Sequence, residues 1–146
     1  WRHLQKSFGR ASAEEVMSGR GLHNIYTALA QDAGKEATFA EPAQITEAAL
    51  AGTCDIAAAT LTQFCRIMGS FAGNLALNMA TTGGIFIGGG IANRFPEFIQ
   101  NSDFRARFEA KGQMKHYVKD IPTYLIAEPD HGLLGAAAYL QQHTAS

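Results

Sequence analysis

Charge is scarce in this 146-residue chain: Asp, Glu, Lys and Arg make up 17% of it and the formal net charge is -1. That balance offers none of the basic field that a nucleic-acid or anionic-membrane partner requires. Cysteine is scarcer. Cys54 and Cys65 form no CxxC pair and no metal spacing, so they read as reduced, buried, small apolar residues of a cytosolic protein. No segment reaches the ~18 uninterrupted apolar residues of a membrane helix, and no charged-then-apolar leader opens the chain. The expected compartment is the cytoplasm. His3, His23, His116, His131 and His143 show no HxxxH, HxH or HExxH spacing, so no metal site is expected. A phosphate-binding P-loop is excluded, because no GxxxxGK[ST] occurs. The opening Trp1-Arg2-His3 reads as the middle of a helix, and so as a piece of a longer chain.

Apolar residues are plentiful, at 47%, enough for one domain with a sizeable core. Trp1, Leu4 and Phe8 have helical spacing, with Gly9 as a stop. "EEVMSG", 14–19, reads as a short buried strand, and Leu22, Ile25, Tyr26 and Leu29 share one face of a helix over 22–31. Residues 32–42 read as a loop, and 43–52 as a short helix closed by Gly52. The longest periodic element, 55–80, carries Ile56, Phe64, Ile67, Met68, Phe71, Leu75 and Met79. A second stripe holds Gly69, Ala72, Gly73 and Ala76; helical glycine costs about 1 kcal/mol, so a close backbone neighbour is expected there. Strands are expected at 84–88 and 122–128, with helices near 94–101, 103–110 and 132–143. Arg105, Arg107 and Lys111 read as a solvated helix face. Phe95, Phe98, Phe104 and Phe108 read as core, with Met17 and Met68 as filler. Three strands separated by helices imply a thin parallel sheet of an α/β fold, its remaining strands lying upstream.

Two glycine turns carry the chemistry: Ser18-Gly19-Arg20-Gly21 and Gly88-Gly89-Gly90-Ile91, each read as strand, glycines, helix. A helix N-terminus favours an anion, and bare backbone lets phosphate oxygens or a flat group approach, at the strand ends where α/β sheets bind ligands. Glycine also appears at such junctions merely because a turn needs positive φ. Both turns lack the third glycine of a dinucleotide fingerprint, having Asn24 and Asn93 there. His23 and Arg94 lie close by, and solvent exposure is the simpler reading of both.

The segments "SAEEVMSGRGLHNIYTAL", "FCRIMGSFAGNLALNMATTGGIFIGGGIANRFPEF" and "FRARFEAKGQMKHYVKDIPTYLIAEPDHGLLGAAAYL" resemble, in order and spacing, the C-terminal part of the bacterial ATP-dependent glucokinase family. The resemblance implies a partial large lobe of the actin/hexokinase (ribonuclease H-like) fold. Residues 1–131 would be the truncated large domain, and 132–146 a helix packing toward the missing N-terminal lobe. It implies ATP, with magnesium carried by it, and glucose as substrates. Ser18, Gly19 and Gly21 would line the phosphate side, and Gly88, Gly89, Gly90 and Ile91 the adenosine side. Glu14 falls where the family places a carboxylate that binds a sugar hydroxyl; Ser12 and Glu15 also form a capping-box pattern that would make Glu14 an ordinary surface residue. The family's catalytic aspartate, its Glu-Gly-Gly-His sugar motif and its first phosphate loop have no counterpart here. The chain alone is therefore expected not to phosphorylate glucose. The apolar last helix is expected to drive dimerisation or other self-association. The rival reading is a non-catalytic nucleotide-binding or sugar-sensing regulator module on the same fold.

Overall fold

The computed structural model describes residues 2, 5, 6, 9, 12–128 and 130–144. The helix expected over 1–8 falls largely on residues outside that set.

Helix α1 (Glu14–Met17) is a single turn, closed by the N–H groups of Val16 and Met17 donating to Ala13 O at 3.1 and 2.9 Å. This corrects the expected strand at 14–19. Among the described residues the only sheet is a two-stranded one elsewhere in the chain, and the backbone here satisfies itself locally. Helix α2 (Gly19–Asp32) buries Leu22, Ile25 and Tyr26, with Leu29 packed against the same cluster, as its spacing predicts. Helix α3 (Pro42–Leu50) opens on a reciprocal capping pair, Glu41 with Gln44, and ends before Gly52 at φ +67°.

Helix α4 (Asp55–Asn78) is the axle of the fold. The small stripe faces inward: Gly69, Ala72, Gly73 and Ala76 are buried, and α6 (Phe104–Glu109) lies directly on it. A β-carbon on Gly69 would collide with Phe104 O, and one on Gly73 with Phe108 O. The expected close backbone is therefore α6. Seating α6 there turns Phe71, Leu75 and Met79 outward, where they are exposed.

Strands β1 (Ile85–Ile87) and β2 (Thr123–Leu125) pair in parallel, Ile85 opposite Thr123 and Ile87 opposite Leu125. They are the only strands among the described residues, two where three were expected. Short helices α5 (Pro96–Gln100), α6 and α7 (Lys115–Val118) fill the crossover, and α8 (His131–Thr144) follows β2. Ile85, Ile87 and Leu125 face the helices, whereas Phe86 and Tyr124 stack at 5.0 Å on the other face, 66% and 47% exposed. Helix α8 has no buried residue; Leu133, Leu134, Tyr139 and Leu140 stand in solvent.

The core is two clusters joined by α4. Leu22, Ile45, Leu61, Phe64 and Phe95 centre one; Ala72, Ala76, Phe104, Phe108 and Val118 centre the other; Met68 and Ile87 touch both. Arg105 is a clamp rather than a solvated charge. Its Nε donates to Glu109 Oε1 and its Nη1 to Ile121 O, both at 2.7 Å, while Nη2 donates to Lys119 O. Its guanidinium also lies 4.9 Å from the Phe108 ring centre. Lys111 Nζ donates to Ser70 O at 2.7 Å and Asn74 Oδ1 at 2.8 Å, tying the loop after α6 to α4. Partial burial, and then the neighbouring Arg107 charge, lower its pKa.

Candidate functional site

The first glycine turn joins two helices rather than a strand to a helix. Ser18, extended at φ -112° and ψ 178°, caps α2: its Oγ accepts from Gly21 N at 3.0 Å and donates to Glu14 O at 2.9 Å. Gly21 is required by the chain itself, because a β-carbon there would stand 2.5 Å from the Val16 carbonyl carbon. Gly19 faces open space. The first N–H groups of α2, from Gly19 and Arg20, have no intrahelical acceptor by geometry and point out of the helix end.

The acidic pair beside this turn divides. Glu15 is engaged: Asn24 Nδ2 donates to its carbonyl at 2.9 Å and reaches its Oε2 at 3.5 Å, and Arg20 Nη2 is 3.4 Å from Oε1. The Ser12–Glu15 capping box does not form; Ala13 occupies the cap position, already helical at φ -59° and ψ -38°. Glu14 is exposed, and its carboxylate makes no hydrogen bond or ion pair with any described residue.

The second turn follows β1, as expected. Gly89 sits at φ +123°, a region L side chains avoid, and Gly89 and Gly90 both border open space. Gly88 differs. The position a β-carbon would take lies 3.2 Å from His131 Nε2 and 3.3 Å from Ile126 Cδ1, so the flat group against the strand end there is the protein's own imidazole. Ile91 is half-buried against the core, and Asn93 N donates back to Gly89 O at 3.3 Å. Arg94 is exposed. Val16 and Leu22 from the first turn, and Ala92 with Ile87 and Ile91 from the second, share one apolar cluster. Both turns are thus anchored on the same packing unit.

A cleft of about 570 Å³ lies between α1 and α4, walled by Met17, Ile67, Phe71, Arg66 and Arg107. None of the expected site residues lines it. Among the described residues no three His, Cys, Asp or Glu side chains converge to hold a metal ion, and no helix is long and apolar enough to cross a membrane. Both cysteines are free; burial pushes the Cys65 thiol up to about 11, a hydrogen bond with Ser102 opposing the shift. His131, now found against Gly88, escaped sequence reasoning because the two residues are far apart in the chain; only the apolar "GLLGAAA" that follows hinted at a helix beginning there.

The family model described as Glucokinase matches residues 1–143. The chain belongs to the glucokinase family. It is 50% identical over 147 residues to a glucokinase of Colwellia psychrerythraea strain 34H, covering 97% of this chain and 44% of that protein. It is 50% identical over 139 residues to a glucokinase of Escherichia coli strain K12 / DH10B, covering 95% and 43%. Among solved structures, a glucokinase from an Antarctic psychrotroph superposes with a TM-score of 0.88 at 40% identity, over 97% of this chain and 44% of that one. This glucokinase-family chain thus spans less than half the length of the relatives it matches. The small parallel sheet with its helices matches part of a glucokinase.

Proposed function

We propose that this chain is the nucleotide-side part of the large lobe of an ATP-dependent glucokinase with the actin/hexokinase (ribonuclease H-like) fold. Residues 1–131 form its truncated large domain, and 132–146 the helix that packs toward an N-terminal lobe. The parent reaction transfers the γ-phosphoryl group of ATP to the 6-hydroxyl of glucose, in glycolysis and in the cytoplasm. The observation that carries this reading is the match of the Glucokinase family model across nearly the whole chain.

The residues present fit those roles. Phosphoryl transfer rests mainly on positioning and on stabilising charge. The outward amides at the start of α2, beside Ser18 and Gly19, suit the phosphate side. The open backbone of Gly89 and Gly90, with Ile91 anchoring the turn in the core, suits the adenosine side. The free carboxylate of Glu14 suits a sugar hydroxyl, which it would accept as a hydrogen bond. Gly21 and Gly88 serve by letting Val16 and His131 pack, so they shape the turns rather than touch the nucleotide. Magnesium would be held by the phosphates and water. No residue here corresponds to the catalytic aspartate, so the chain alone does not turn over glucose. The bare apolar side of α8 favours self-association.

Calorimetric titration of the 146-residue chain with ADP tests the reading. One saturable site is expected, and no heat of binding at millimolar ADP would overturn the nucleotide half of it. In a coupled assay the expected rate is zero; turnover typical of a kinase would overturn the inactivity.

A further inference from the structure

We infer that His131 orients the nucleoside at the Gly88–Gly90 turn, by accepting a hydrogen bond at Nε2 from the adenine exocyclic amine or the ribose 2′-hydroxyl. This rests on the nucleotide reading of that turn. His131 opens α8, yet its ring is held: Nδ1 lies 2.8 Å from Glu128 O. A carbonyl oxygen only accepts, so Nδ1 carries a proton, and in that tautomer Nε2 is the acceptor of the ring. The Nε2 edge is the one that meets the turn, with Nε2 3.2 Å and Cε1 3.6 Å from where a Gly88 β-carbon would stand. Further along the same turn, Gly89 and Gly90 offer bare backbone, with nothing within 4 Å of where their β-carbons would stand. An oriented acceptor beside a patch without side chains is what a flat, donor-bearing group needs in order to be both admitted and registered. The turn has further unused polarity: Asn93 Oδ1 is buried without a hydrogen-bond partner.

The test is calorimetry of the wild-type chain, His131→Ala and His131→Gln with ADP, 2′-deoxyADP and inosine diphosphate. ADP binding is expected to weaken about tenfold in His131→Ala, the scale of one hydrogen bond lost from a ligand. His131→Gln, which keeps an acceptor oxygen at similar reach, restores most of it. One analogue, the one lacking the recognised donor, binds the wild type about as weakly as ADP binds His131→Ala and is indifferent to the substitution. A purely structural role for the ring would weaken all three ligands alike. Equal affinity of wild type and His131→Ala for ADP, or equal losses for all three ligands, overturns the inference while the nucleotide reading stands. If the wild type binds no ADP, both fall together.

Discussion

Replacing Gly69 by alanine inverts the usual effect of that substitution. In an ordinary helix interior alanine is better than glycine by about 1 kcal/mol. Here the new methyl would collide with Phe104 O and stand 3.0 Å from its carbonyl carbon and 3.1 Å from its Cα, all main-chain atoms that no rotamer change can move. Helix α6 must withdraw, and with it Phe104 and Phe108, two of the largest residues of the second cluster. Overpacking of this kind costs about 1–3 kcal/mol, and loosening two phenylalanines adds to it. The net expectation is a loss of about 2 kcal/mol after the propensity gain is subtracted. Urea denaturation followed by far-UV circular dichroism reads it as a lower midpoint at unchanged slope. Gly135→Ala is the matched control: nothing lies within 4 Å of its β-carbon position, so there the propensity gain stands alone and slows amide exchange in α8. A Gly69→Ala midpoint at or above wild type would refute the argument that α6 main chain is pressed onto α4.

Arg105→Ala should cost about 2 kcal/mol in urea unfolding, since three charge-assisted donors and a stacked contact vanish together; Arg107→Ala, exposed and with one 3.3 Å bond to Ser70 Oγ, should cost under about 0.5 kcal/mol. A single ammonium cannot span the three acceptors of Arg105, so Arg105→Lys should not rescue. At pH 8 a thiol reagent should modify the half-buried Cys54 well before Cys65, which is buried and whose pKa is raised from 9.0 to about 11. Because the folded thiol holds its proton more tightly than the unfolded one, this contribution is intact below pH 9 and is lost as pH rises through 11. Cys65→Ala should therefore unfold with less alkaline sensitivity in that window. Leu133→Glu combined with Leu140→Glu should shift light scattering toward monomer; an unchanged mass would argue that α8 is not the sticky surface.

Periodicity made the long elements legible. Leu22, Ile25 and Tyr26 placed α2, and Gly69 with Gly73 announced a backbone neighbour before α6 was known to be it. The family was legible too, from ordered motifs. Three things were not. "EEVM" is too short to display a period, and its turn shows only in the local bonds from Val16 N and Met17 N to Ala13 O. Arg105 and Lys111 look like solvated charges because their acceptors, Ile121 O and Ser70 O, are backbone atoms remote in sequence. Phe71, Leu75 and Met79 continue the apolar spacing of 55–80 yet are exposed, because hydrophobicity alone does not tell which of two helix faces another helix will claim. At the candidate site the glycines were legible as turns, whereas the occupants of the space beside Gly21 and Gly88 were not. Those are Val16 backbone and the His131 ring, which only the folded chain brings there.

Strands β1 and β2 are shielded on the helix side and bare on the Phe86–Tyr124 side. In most α/β proteins the parallel sheet lies in the interior and its amides are the last to exchange. Here the order is reversed: deuterium should enter Ile85–Ile87 and Thr123–Leu125 early, while the middle of α4 keeps its protons until the whole chain comes apart.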